Sequence, residues 1–269
     1  MAVDMFYEGS TMVGRRYLLI DGIRGFTIIN MVLYHFLYDV FIIYGRNPVW
    51  ISLPAVHIWQ QYICWSFIFI AGFVWRFGQK NNLKRGIFLN LCGLAISLVT
   101  YIAVPGEAIW FGILNFMGCA VLLMIPLHIL AGMVSSWCRS LQTKRILPVL
   151  GVAVSFALFI LFKHMQSGYV GIGRTRFFSL PGWLYQIKLL TIFGFPYPGF
   201  ASSDYFPVFP WMFLFATGYF CYPIARDSGL LDRAAYKKVP ALSAIGQKSI
   251  WIYLLHQPVC MLISMLFQV

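Results

Sequence analysis

Charge is scarce in this sequence. Only 10% of its 269 residues are Asp, Glu, Lys or Arg, against about 25% in soluble domains, which excludes a water-soluble globular chain. Acidic groups are scarcer still, eight Asp and Glu against twenty Lys and Arg, for a formal charge of +12. Paired thiols are missing: Cys64, Cys92, Cys119, Cys138, Cys221 and Cys260 stand singly, mostly inside apolar runs. Without a Cys-x-x-Cys pair there is no zinc site or redox dithiol to expect, and a disulfide scaffold is excluded. Each cysteine reads as a small buried hydrophobe. No His-Glu-x-x-His, phosphate-binding loop, Gly-x-Ser-x-Gly or Gly-x-Gly-x-x-Gly context occurs, so metal, nucleotide-hydrolysis and lipase chemistry have no support, and no metal ligands are expected.

What the chain has instead is apolar length. Sixty per cent of it is hydrophobic and its mean hydropathy is +0.77. An all-α integral membrane protein follows, because a helix of about 20 apolar residues spans a bilayer. Seven stretches qualify, roughly 20–43, 56–77, 86–104, 108–134, 146–163, 205–224 and 243–267. The segment 183–195 is too short to cross and carries Lys188, which predicts a re-entrant or interfacial helix. The N-terminal MAVDMFYEGSTMVGRRYLL lacks a cleavage site after a short apolar core and reads as a cytoplasmic tail, 1–19. Residues 20–267 then form a single transmembrane domain.

Basic residues set the orientation. With the N-terminus inside, Arg15, Arg16, Arg76, Lys80, Lys84, Arg85, Arg139, Lys144, Arg145, Arg226, Arg233, Lys237 and Lys238 face the cytoplasm. Only Arg46, Lys163, Arg174, Arg176 and Lys188 fall outside, while Arg24 and Lys248 lie in or at the edge of spans. The positive charge therefore marks cytoplasmic loops, and nucleic acid is not an expected partner. The long outer loop, 164–204, is rich in Gly, Pro and aromatics; it either caps the bundle or walls a site with faces suited to sugar rings. Arg174 and Arg176 in it suit an anionic acceptor or lipid headgroups.

The first span carries the chemistry. In DGIRGFTIINMVLYHFLYD, His35 falls about 20° from Arg24 around a helix, and Asp21 and Asp39 about 60° from it, so the four share one face. His35 stands about 16 Å above Arg24. An ionisable group in mid-membrane costs about 2.5–3.5 kcal/mol and faces the bundle or a wet cavity. Asp21 with Arg24 also fits a boundary ion pair, and a lone His35 fits interhelical glue. A carboxylate one turn from His35 can bond one ring nitrogen and leave the other basic, which makes Asp39 the orienting partner of a base.

IDGIRGFTIINMVLYHFLYD resembles the first span of the heparan-α-glucosaminide N-acetyltransferase catalytic-domain family. Its Arg24 followed after ten residues by His35 also resembles the signature of type-three membrane acyltransferases. FGILNFMG, DYFPVFPWMFLFATGYF and IWIYLLHQP extend the likeness from about 14 to 260. It departs at Asn115, where the family pattern often has histidine. The resemblance implies transfer of an acyl group, usually acetyl, from cytoplasmic acetyl-CoA to an amine or hydroxyl of a sugar or glycan. His35 and Asp39 would be catalytic, with Arg24, Asp21 and Asn115 toward the donor and Asp204, Trp211 and His256 toward the acceptor. An acyl-imidazole on His35 is the alternative chemistry.

Bland readings stand beside these roles. His256, next to Pro258, fits a kink with histidine as glue, and His128 fits packing. Asp204 and its aromatics fit an interface belt. The expected partners are acyl-CoA, a glycan acceptor and the lipid bilayer, with a homodimer left open; the expected location is a bacterial inner membrane. A proton-coupled transporter using His35 and Asp39 as a relay, or a non-catalytic membrane scaffold, are the competing functions.

Overall fold

The computed structural model describes residues 17–45, 47, 49–137, 140–232 and 239–266. Most of the tail expected over 1–19 lies outside them, as do Arg15, Arg16, Arg46, Cys138, Arg139, Arg233, Lys237 and Lys238. The described chain is helical: α1 (Leu18–Tyr38), α2 (Pro54–Phe73), α3 (Asn82–Ala103), α4 (Ile113–Trp137), α5 (Leu141–Phe162), α6 (Val208–Asp227), α7 (Pro240–Gln247) and α8 (Ser249–Met265). Among the described residues, five stretches are long and apolar enough to cross a membrane: Leu18–Ile43, Pro54–Ala103, Ile113–Trp137, Gln142–Ser167 and Val208–Asp227. The second of these, 50 residues long, contains both α2 and α3. The shorter Ser249–Met265 is also apolar. Six of the seven apolar stretches read from the sequence each overlap one of helices α1 to α6, the seventh overlaps α7 and α8, and the protein is an all-α membrane protein.

Two local departures have simple causes. α4 starts at Ile113, not near 108, because Phe111 takes a left-handed backbone, φ 56°, that a helix cannot include. The last expected span, 243–267, breaks at Lys248 (φ −100°, ψ 13°) into α7 and α8.

The segment 164–204 differs from the sequence reading. Residues 183–195 form no re-entrant α-helix; they make 3-10 turns Gly182–Gln186 and Lys188–Phe193, separated by an extended Ile187 and closed by left-handed Gly194. The loop also contains a hairpin, β1 (Tyr169–Ile172) antiparallel to β2 (Thr175–Ser179), with Gly173 at φ 58° in the turn. Arg176 lies over the Tyr169 ring, 4.6 Å from its centroid.

The chain divides into two compact units at Ile70/Ala71 within α2 and Ile224/Ala225 within α6. In the unit Ala71–Ile224, α3 packs on α4 with small and polar residues inward. Gly86, Gly93 and Ser97 are buried on α3, whereas its Leu91, Leu94, Leu98 and Ile102 are 60–70% exposed. That reverses the pattern of a soluble helix. In lipid, aliphatic side chains gain nothing by turning inward, so small residues that let backbones approach take the contact. A Cβ on Gly93 would come to 2.5 Å from the Asn115 side chain. Phe116, Phe159, Phe215 and Tyr219 are fully buried at the unit's centre.

The other unit runs to Ile70 and resumes at Ala225. Here α1 packs on α7 and α8. Gly25 of α1 and Gly246 of α7 meet backbone to backbone: an added Cβ at Gly25 would overlap Leu242 O, and one at Gly246 would overlap Asp21 O. Ser243 Oγ donates to Leu18 O at 2.7 Å across the same contact. The apolar core is Ile28, Met31, Tyr34, Trp50, Val56 and Ile63.

Candidate functional site

The first helix carries Asp21, Arg24 and His35 in α-helical form as far as Tyr38 and changes pitch at the fourth ionisable residue, Asp39. Asp39–Ile43 is a π-helical turn, in which Tyr44 N donates to Asp39 O at 3.0 Å. Such turns widen the helix and re-aim side chains. About four turns below, Arg24 donates to Asp21 Oδ1 at 3.3 Å, so the boundary ion pair considered from the sequence is present.

His35 meets a second imidazole. Its ring lies 4.8 Å, centroid to centroid, from that of His256 on α8, at 63° between planes. Tyr34 stands edge-on to His35 at 5.8 Å and packs in turn against Trp50 and Trp59. No side-chain hydrogen bond joins His35 to Asp39 among the described residues; Asp39 N donates to His35 O along the main chain. Asp39, with no exposed surface, instead accepts from Gln257 Nε2 at 2.9 Å through Oδ1. The main chain keeps α-helical register from His35 to Asp39, so the expected i to i+4 partnership fails at the side chain, whose carboxylate is turned to Gln257 on α8.

His256 is the better anchored imidazole. Its Nδ1 lies 2.6 Å from the carbonyl oxygen of Tyr253, which can only accept, so Nδ1 carries the proton and donates. In the neutral ring Nε2 then holds the lone pair. That atom is buried and has no hydrogen-bond partner among the described residues. Further bonds tie α8 to the first helix and its π turn, with Cys260 Sγ donating to Val32 O at 3.7 Å and Tyr44 OH to Met261 O at 3.4 Å. Sequence reasoning placed His256 with the acceptor and left Gln257 out; only their positions beside Pro258 in YLLHQP hinted at a special turn.

The remaining expected residues belong to the unit Ala71–Ile224. Asn115 is buried in α4 against Gly93, and its Nδ2 donates to Asn90 O at 3.5 Å. Asp204 Oδ2 accepts from Ile113 N, the first residue of α4, at 3.1 Å. A carboxylate there satisfies one of the helix's orphan N–H groups and opposes its dipole. Removal from water pushes the Asp204 carboxyl up to about 6, with the Ile113 bond pulling the other way. Ser202 and Ser203 stitch the same strip of chain to Trp110 and Glu107. Trp211 is buried between Phe159 and Phe206, and its indole Nε1 finds no partner among the described residues.

This unit also contains a polar chain that the sequence did not announce. Arg76 donates to Tyr219 OH at 3.1 Å, Tyr219 OH meets His128 Nδ1 at 2.5 Å, and His128 Nε2 meets the Gln79 amide at 2.5 Å. His128 does more than pack. A cleft of about 370 Å³ opens beside it, lined by Trp75, Gln79, Leu83, Ile125, His128 and Ile129, and includes none of the expected site residues.

The family described as heparan-alpha-glucosaminide N-acetyltransferase, catalytic, matches residues 16–258. The chain belongs to this family. Its match to the heparan-alpha-glucosaminide N-acetyltransferase catalytic domain begins just before α1 and ends just after His256 and Gln257, so both members of the imidazole pair lie within it. Membership implies an acetyltransferase embedded in a membrane. No curated protein and no solved structure matches the chain.

Proposed function

We propose that the protein transfers an acyl group, acetyl by preference, from acyl-CoA on the cytoplasmic side to an amine or hydroxyl of a sugar or glycan reached from the other face. The observation that carries this reading is the imidazole of His35, held on an apolar helix against His256 in a chain of this family. Such a group is expensive to keep in a bilayer unless it serves a purpose. Neither a transporter nor an inert scaffold draws equal support from the family.

The thioester donor brings an activated carbonyl; the chain's own residues then bind, orient and move a proton. Basic cytoplasmic loops attract the donor's phosphates. Arg24, on the face that leads to His35, offers a guanidinium for phosphate or amide oxygens while Asp21 steadies it. The His35 ring makes no hydrogen bond among the described residues, which leaves its nitrogens open to the proton that the acceptor loses. Asp39 sits one turn on and fixes α8 through Gln257. Asn115, Asp204 and Trp211 are assigned to donor and acceptor binding on the strength of the family likeness. In this reading the N-terminus faces the cytoplasm, all seven apolar stretches cross, the chain is one transmembrane domain and the host is a bacterial inner membrane.

The test is acyl transfer itself. Purified protein mixed with acetyl-CoA and glucosamine or glucosaminides should release free thiol in step with acetylated product. A general base contributes about 10²–10⁴-fold, so His35→Ala should lower turnover by at least about 100-fold while acetyl-CoA still binds. Turnover of the variant near the wild-type rate would remove His35 from the mechanism. Solute flux in liposomes, independent of CoA, would favour the transporter.

A further inference from the structure

His256 is positioned for a task that neither packing nor acceptor binding requires. We propose that it is the second imidazole of a proton relay, taking up through Nε2 the proton that His35 removes from the acceptor; the proposal rests on the acyl-transfer reading. Three features converge on it. The ring is in contact with that of His35, at 4.8 Å between centroids. Its Nδ1–H is committed to Tyr253 O at 2.6 Å, which fixes the tautomer. Its Nε2 is buried and without a hydrogen-bond partner among the described residues, an arrangement that costs free energy and that a proton-accepting role accounts for.

The step balances. The acceptor N–H or O–H gives its proton to His35 as the new bond to the acyl carbon forms. His35 passes a proton to His256 Nε2, so the positive charge rests on a ring whose Nδ1–H already points at a carbonyl dipole. As the carbon–sulfur bond breaks, the proton returns through His35 to the departing thiolate, and both imidazoles end neutral. Among the described residues, Tyr34 and Asp39 from the first helix and its π turn, with Tyr253 and Cys260 from α8, are titratable groups near the pair. Gln257 holds the Asp39 carboxylate, so α8 presents His256 and braces the neighbouring acid within two consecutive residues. His256 thus acts as a positioning and relay residue working through His35.

Two measurements on the full-length protein in detergent or nanodiscs decide the matter. The first is the titration of ¹⁵N-histidine-labelled wild type beside His35→Gln. Two imidazoles that share one proton titrate as a coupled pair, so His256 should report an unprotonated Nε2 in the neutral state and shift its midpoint when His35 is replaced. A His256 signal indifferent to that replacement, or a protonated Nε2 in the neutral ring, overturns the relay. The second is kinetic. Gln at 256 keeps an amide donor but cannot carry a proton, so His256→Gln should lower kcat about 100-fold, leave the KM for acetyl-CoA unchanged and displace the ascending limb of the pH–rate profile. Turnover within threefold of wild type, with an unmoved limb, overturns it. Coupled titration in a protein that releases no thiol from acetyl-CoA would support the imidazole pair and defeat the acyl-transfer reading instead.

Discussion

Replacing Gly25 with Ala should loosen the contact that holds the first helix, whereas the same change at Gly22, three residues away, should not. The two glycines lie in the same helix and both face α7, so helix propensity favours alanine at each by up to about 1 kcal/mol. Space then decides the sign. At Gly22 the added methyl would meet Ser243 Oγ at 3.5 Å and Val239 at 3.7 Å, ordinary contacts. At Gly25 it would overlap Leu242 O and lie 2.8 Å from that residue's carbonyl carbon and 3.0 Å from Gly246 N. All three are main-chain atoms that cannot rotate aside, so the helices must part by about an ångström or more. Overpacking of this kind costs about 1–3 kcal/mol, and against main chain the upper half of that range applies. The net is about 1–2 kcal/mol of destabilisation at Gly25 and none, or a small gain, at Gly22. For a chain of this size that corresponds to a fall of roughly 2–8 °C in the unfolding midpoint, measured by scanning fluorimetry in detergent, with Gly182→Ala in open space as a further control. Equal midpoints for the Gly22 and Gly25 variants would refute the backbone contact.

Other outcomes follow from single bonds. Gln257→Ala removes the Nε2 donor from a fully buried carboxylate and should cost about 1.5–3 kcal/mol in denaturant unfolding, the range for a hydrogen bond to a charged group; no loss of stability would mean that Asp39 does not depend on Gln257. Asp204 binds protons more tightly folded, at about 6, than its ordinary 3.8. Between those values the native state holds more protons than the unfolded one, so this group's contribution to stability falls as pH rises from about 4 through 6. Asp204→Asn should flatten that decline in midpoints recorded from pH 4.5 to 7.5, and an unchanged slope would exclude Asp204 as its source.

The helices were legible because a bilayer demands long apolar runs, and α1 to α6 and α8 lie where those runs do. Asp21 and Arg24 were legible as a pair because three residues is a local spacing. The hairpin was missed because 164–204 was read for its breakers, although Gly173-Arg174 between two short extended runs is a turn signal. The break at Lys248 was hidden inside one continuous apolar stretch. The π turn at Asp39 has no local signature at all, and neither has the bond by which Gln257, 218 residues on, takes the Asp39 carboxylate in place of His35. The pairing of His35 with His256 joins residues 221 positions apart, which no periodicity can reveal. Asp204 was singled out as an acceptor ligand, yet its visible bond caps a helix that begins 91 residues earlier.

The chain Arg76–Tyr219–His128–Gln79 has a mechanical meaning beyond its own bonds. Rods coated in interchangeable leucines, immersed in oil, have little reason to prefer one axial alignment over another displaced by a single pitch of 5.4 Å. Three directional bonds threaded through side chains of Val74–Asn81, α4 and α6 supply that preference, since sliding any one of those segments would strand polar atoms where no water can replace the lost partner. The network acts as a latch that selects one alignment from many of similar greasiness.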